Sequence, residues 1–184
     1  MKDVSVSIIL AVYNSDKYIA HAISSILEQS FPDWELIVMD DGSTDHTPSI
    51  VTAFRDPRIR FFRRLKNRGK THAMQYGLHQ CSGKYVLEMD ADDWLDRDCL
   101  AFLCLAMDVL PKEVAMIHGD VRVYEEVDGL LTFSRTVWAR PIPSKYHMLS
   151  TLRSLNPRFY RREHLVACGG WKIEPWGDGR LYED

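Results

Sequence analysis

Alternation between buried-strand and amphipathic-helix patterns over residues 4–90 is the feature that most restricts the fold. Residues 4–13 are nearly continuous in apolar character and rich in Val and Ile, as in a strand buried on both faces. Asn14 or Ser15 then offers a helix cap, and Ile19, Ala22, Ile23, Ile26 and Leu27 form one stripe on a helix that ends near Phe31-Pro32. The pattern recurs. Residues 34–39 read as a second strand, 40–44 as a loop, and Thr47-Pro48 as a cap followed by proline at the first helical position. Residues 59–62 predict a third strand, 69–81 a third helix and 85–89 a fourth strand. Strands alternating with helices imply an α/β fold with a mostly parallel, doubly wound sheet.

The alternation stops after Trp94. A helix over 98–109 runs up to Pro111, and residues 114–124 and 130–133, joined by Asp128-Gly129, predict a hairpin. Prolines at 141, 143, 157 and 175 and glycines at 169, 170, 177 and 179 mark the remainder as loops around one short helix. With no repeat and no long linker, residues 1–184 read as a single domain with halves 1–95 and 96–184.

A net charge of -3 and a pI near 6.2 supply no chain-wide attraction to nucleic acid or to an anionic membrane. No apolar run approaches the about 20 residues that span a bilayer. Lys2 and the apolar run after it imitate a signal peptide, but Asn14, Ser15, Asp16 and Lys17 follow where a small-residue cleavage site belongs. Cys81, Cys99, Cys104 and Cys168 have no zinc-type spacing and read as reduced, buried thiols of a reducing compartment. The expected location is cytoplasmic, with peripheral association at the inner face of the membrane.

Ligands of open parallel sheets bind at the carboxyl ends of the strands. There the chain concentrates acids, with Asp40 and Asp41 ending the second strand and Asp90, Asp92 and Asp93 the fourth. Neither cluster contains a balancing cation. Carboxylates so placed raise one another's pKa or share a cation, and Mg2+ or Mn2+ fits because it takes few protein carboxylates and leaves positions for phosphate oxygens. The clusters therefore predict a metal that bridges protein to diphosphate. Asp96 and Asp98 read as ordinary turn residues. Residues 11–20 contain no glycine, which removes a dinucleotide fingerprint, a P-loop and the glycine-rich loop of a sugar nucleotidyltransferase, the nearest enzymatic rival.

The stretches VSIILAVYNSDKYIAHAISSILEQSFPDWELIVMDDGSTDHT, NRG and SGKYVLEMDADD, in that order and spacing, resemble the family 2 inverting glycosyltransferases with the A-type nucleotide-sugar-binding fold. The resemblance implies a Rossmann-like sheet flanked by helices, a nucleotide-sugar-binding first half, and a late hairpin and loop-rich acceptor side. It implies that Ala11, Tyr13 and Asn14 line the base pocket, with uracil the usual base, and that Asp41 accepts a hydrogen bond from it. Asp90-Ala91-Asp92 matches the D-x-D motif, with Asp90 toward the donor and Asp92 on the metal. Gly170 and Trp171 match a motif that shapes the acceptor side, and Asp184, with Glu183 beside it, matches the catalytic base.

By the same resemblance the donor is UDP-linked and the acceptor is a saccharide or glycan-lipid. A module that binds nucleotide sugar without turnover is the non-enzymatic alternative. Two departures stand out. Ala73, Met74 and Gln75 replace the arginine and asparagine common after N-x-G, and the family continues past its E-D motif where this chain ends, so a C-terminally truncated acceptor side is expected.

The basic run at 63–70 reads as a solvated loop, the alternative being that one or two of its residues, with Lys70 and Arg68 the candidates, reach the base or the diphosphate. His118 reads as a buried, hydrogen-bonded residue of the fifth strand, and Glu88 as structural. Of the late tryptophans, Trp171 is the candidate for sugar stacking.

Overall fold

The computed structural model describes residues 4–140 and 157–171. β1 (Val6–Val12), α1 (Ile19–Leu27), β2 (Trp34–Asp40), α2 (Thr47–Ala53), β3 (Ile59–Arg63), α3 (Lys70–Gln80) and β4 (Tyr85–Asp90) alternate as the sequence predicts. They are followed by α4 (Cys99–Val109), β5 (Met116–Ile117), β6 (Val121–Val127), β7 (Leu130–Val137), β8 (Arg158–Arg161) and α5 (Arg162–Ala167). The main sheet has the order β3-β2-β1-β4-β8-β5, and β6 pairs with β7 in a second, two-stranded sheet. β3, β2, β1 and β4 are parallel, whereas β8 runs antiparallel to both neighbours.

Side-chain alternation divides the core between the two faces. Ile8, Leu10, Leu36, Val38, Leu87 and Met89 pack with Ile19, Ile23 and Ile26 of α1 and Leu100 and Met107 of α4. Ile9, Ile37, Met39 and Val86 face Ala73, Met74 and Leu78 of α3. The chain therefore winds away from β1 in both directions, and the point where strand order reverses lies between β1 and β4, the usual ligand position in such sheets.

Four local expectations change. No side chain caps α1. Asn14 instead takes positive φ (50°), and its Oδ1 accepts the Thr44 N–H at 2.9 Å. Thr47 opens α2 instead of capping it, because its hydroxyl accepts the Ser15 N–H at 2.8 Å. The predicted 114–124 strand is broken at residues 118–120: β5 joins the main sheet and β6 starts the hairpin. The proline- and glycine-rich tail contains β8, not loops and one helix alone. Its Phe159 is fully buried, and its Arg161 guanidinium donates to the carbonyls of Met107 (2.7 Å) and Leu110 (3.1 Å), which would otherwise end α4 unpaired. The sulfurs also differ from expectation, since Cys81 and Cys104 are buried but Cys168 is exposed.

Candidate functional site

Register brings the acids together. Ala11 of β1 pairs with Met39 on one side and with Asp90 on the other, and Val12 pairs with Asp40, so both acidic strand ends flank the end of β1. The loop leaving β1 is stitched to the loop leaving β2. Asn14 N–H donates to Ser43 Oγ (2.9 Å) and Asp16 N–H to Asp45 Oδ2 (3.1 Å), with the Thr44 and Ser15 bonds between them. This clamp leaves Tyr13 exposed at the mouth of the crevice, with Ala11 half-buried behind it.

The β2 end is closed. Asp40 Oδ1 accepts Ser43 N–H at 2.8 Å, and Arg63 Nε lies 3.1 Å from Oδ2. Asp41 Oδ2 accepts the Arg68 and Gly69 N–H groups at 2.8 and 2.7 Å, while Oδ1 has no hydrogen-bond partner and faces Arg64 at 3.5 Å. Gly42 makes the approach of the 66–69 turn possible: at φ +86° a Cβ there would sit 2.9 Å from Asn67 N. The basic run is thus no solvated loop. Arg63, Arg64 and Lys70 each pair with an acid at a strand end.

The β4 end is open. Lys70, at the first turn of α3, donates to Asp90 Oδ1 and lies 3.6 Å from Glu88 Oε1. Arg158 of β8 donates to the same Glu88 oxygen at 2.5 Å, so Glu88 is neutralised within the fold, as its structural reading requires. Burial alone would lower the Lys70 pKa, but the charge and hydrogen bond of Asp90, with Glu88 behind it, raise it. Both clusters therefore do contain balancing cations, supplied by residues distant in sequence, and the expectation of an uncompensated charge fails for Asp40, Asp41, Glu88 and Asp90. Asp92 remains. It is exposed, with no ion pair or hydrogen bond among the described residues. Asp93 beside it is open at its outer edge, but the protein around its carboxyl, then the charges of Asp90 and Asp92, raise its pKa to about 6.

No group of three His, Cys, Asp or Glu side chains is arranged to hold an ion among the described residues. Magnesium or manganese needs only one or two carboxylates when substrate phosphates fill the other positions, and the hard oxygens of Asp92 and Asp90 meet that requirement.

On the α3 face, Trp171 stands edge-on to Tyr160 with centroids 6.0 Å apart. Gly170 backs onto Gln75 and Leu78, and Gln75 Nε2 donates to Gly169 O at 3.2 Å, so the departure from the family pattern at this helix position holds the Gly-Gly-Trp turn. Glu183, Asp184 and Trp176 lie outside the described residues. His118 is only half-buried, just past β5, and no hydrogen bond to it occurs among the described residues.

Two features escaped the sequence reading. Arg158 reaches the site from a four-residue strand, Arg-Phe-Tyr-Arg, too short and too charged to give a period. Trp94 is held between His21 (centroids 5.0 Å) and Tyr124 (5.2 Å), an arrangement that depends on the β6–β7 hairpin folding back.

An open α/β sheet with an acidic edge at its switch point, closed on one strand and open on the next, defines a protein of the A-type glycosyltransferase fold. The chain belongs to glycosyl transferase family 2, whose model matches residues 7–172. It is 38% identical over 124 residues to the Escherichia coli UDP-Glc:alpha-D-GlcNAc-diphosphoundecaprenol beta-1,3-glucosyltransferase WfgD, covering 67% of this chain and 48% of that protein. Residues 1–349 of S. aureus TarS superpose with a TM-score of 0.69 at 24% identity, over 93% of this chain and 51% of that one. The mannosyltransferase PcManGT from Pyrobaculum calidifontis, solved with GDP-Man and Mn2+, gives a TM-score of 0.65 at 26% identity, over 90% of this chain and 46% of that one. The chain spans less than half the length of the curated relatives it matches. Among the described residues no helix is long and apolar enough to cross a membrane.

Proposed function

We propose that the protein transfers a sugar from a nucleoside-diphosphate donor, UDP-linked, to a hydroxyl of a saccharide or glycan-lipid acceptor, with inversion at the transferred carbon. The observation that carries this reading is the open carboxylate edge of β4 at the switch point, beside a β2 edge already closed by arginines and backbone N–H groups. WfgD, whose name gives a UDP-sugar donor and a lipid-linked saccharide acceptor, supports the donor and acceptor classes, and the Mn2+ bound to PcManGT supports the metal.

Ala11, Tyr13 and Asn14 border the base, and Oδ1 of Asp41, which faces Arg64 but accepts no hydrogen bond among the described residues, is the acceptor left for a base N–H. Asp92, with Asp90, would hold magnesium or manganese. When bound, that ion neutralises charge developing on the diphosphate leaving group. Lys70 keeps Asp90 oriented and adds a fixed positive charge at the diphosphate. Asp184 takes the proton of the acceptor hydroxyl as its oxygen bonds to the anomeric carbon and the bond from that carbon to the diphosphate breaks on the opposite face. Glu183 flanks the base, and Gly170 and Trp171 border the acceptor side.

The test is release of UDP from a panel of UDP-sugars by the full-length protein with Mn2+, with and without saccharide. Release that needs metal and falls in Asp184→Asn is expected. Metal-dependent donor binding with neither transfer nor donor hydrolysis identifies a binding module instead, and full-rate turnover in Asp184→Asn removes that residue as the base.

A further inference from the structure

From residue 57 to residue 87 the chain has eight Lys and Arg side chains and no Asp or Glu, in a protein whose net charge is -3. Most of this stretch folds into β3, the outermost strand of the main sheet, the turn that follows it, and α3. Positive charge therefore gathers along one edge of the molecule.

Ion pairing does not remove that charge from the surface. The Arg63 side chain is 51% exposed while its partner Asp40 is fully buried, and Arg64 is 23% exposed over Asp41 at 4%. In both pairs the carboxylate lies inside and the guanidinium outside, so an approaching ligand meets the positive end first. Lys66 and Arg68 are exposed and make no ion pair among the described residues. With Asn67 and His72 they line a shallow cleft of about 340 Å³ that has no carboxylate in its wall. Such a cleft is complementary to a phosphodiester, which accepts hydrogen bonds and carries negative charge.

Between Arg64 and Lys66 stands Leu65. It is 100% exposed, more than any other large apolar side chain among the described residues. Asp41 holds the following turn through the Arg68 and Gly69 N–H groups, so the leucine and its flanking cations are presented on a fixed backbone, and little order is lost on docking. Cations around one projecting apolar group match an anionic bilayer interface, where headgroups meet the charge and the acyl boundary takes the apolar group. A nucleic acid would leave Leu65 in water, and it would need many more phosphate contacts than Lys66 and Arg68 supply.

We propose that the 64–68 turn is a docking surface for an anionic lipid bilayer, with Lys66 and Arg68 on lipid phosphates and Leu65 inserted at the acyl boundary. Docking there turns the carboxyl edge of the main sheet, which carries Asp41 and Asp90, toward the lipid. Charge and exposure carry this surface independently of the glycosyl-transfer reading.

Flotation of the full-length protein tests it, with vesicles of phosphatidylcholine alone and of an equal mixture of phosphatidylcholine and phosphatidylglycerol. Binding to the mixed vesicles is expected to be about tenfold tighter at low salt, with the gap narrowing at high salt. Lys66→Glu should weaken mixed-vesicle binding about twentyfold, because one positive charge is lost and one negative charge gained near the surface. Leu65→Ser should weaken it about fivefold at low and high salt alike. Both side chains are exposed, so each variant should melt with the parent. If Lys66→Glu does not fold, Leu65→Trp carries the test and should tighten binding, since tryptophan favours the bilayer interface.

Equal binding to the two vesicle types at low salt overturns the proposal. So does undiminished mixed-vesicle binding in folded Lys66→Glu. Binding that responds to Lys66→Glu and to salt, but neither to Leu65→Ser nor to Leu65→Trp, marks a surface for soluble polyanions such as nucleic acid and overturns the lipid assignment.

Discussion

Residues 39–42 and 89–92 read almost alike, Met-Asp-Asp-Gly and Met-Asp-Ala-Asp, and both close buried parallel strands of one sheet. In the fold they behave differently. Asp40 and Asp41 are buried, hold three backbone N–H groups between them and face Arg63 and Arg64, so the β2 end forms the wall of the crevice. At the β4 end Lys70 pairs with Asp90 and Glu88, and Asp92 stays exposed. Charge density at a strand end therefore does not by itself mark a ligand site. The distinction lies in whether the chain returns to satisfy the carboxylates.

The largest expected effect falls on the open end. Asp92→Ala should lower turnover about a thousandfold, of the order seen when electrostatic stabilisation of a transition state is lost, and leave the urea midpoint unchanged. Asp41→Ala should instead lose stability. Loss of two charge-assisted bonds to the 68–69 backbone should cost about 3 kcal/mol of stability, measured by urea unfolding. If Asp41→Ala instead leaves stability untouched, the wall is not built as described.

Gly42→Ala should cost about 2 kcal/mol, because the new Cβ meets the Asn67 backbone at a φ that L-residues avoid. Donor affinity should fall with it, as the 66–69 turn is pushed from Asp41.

The smallest effect concerns a third carboxylate, Glu35, at the opposite end of β2. Burial would raise its pKa, but hydrogen bonds from Ser7, Ser82 and Arg60 outweigh burial and hold it below the ordinary 4.5. Its stabilisation is therefore present above pH 4.5 and lost as pH falls through the lower folded value. Glu35→Gln should flatten that acid limb of the stability curve and leave turnover near neutral pH unchanged.

The wound half of the fold was legible because each strand and helix there carries its own period: the buried stripe of α1 is the one written in Ile19, Ala22, Ile23 and Ile26. β8 was not, since Arg158 and Arg161 occupy a short strand and find Glu88 and the carbonyls ending α4, partners far away in the sequence. The same reason hid the role of the basic run. Arg63, Arg64 and Lys70 look solvated in sequence because their partners lie about 20 residues or more away, across neighbouring strand ends. The acids themselves were legible, but not which cluster would be closed. Trp94 could be weighed as one tryptophan among four, but not its setting, because its ring is set by Tyr124, which a separate hairpin supplies.

The contrast between the two strand ends is tested most directly by the thermal shift produced by UDP-GlcNAc, with and without Mn2+, in the unaltered protein and in Asp92→Ala. The account predicts a metal-dependent rise in melting temperature that disappears in Asp92→Ala, whose own melting temperature matches the parent. A shift of full size that persists in Asp92→Ala would contradict it.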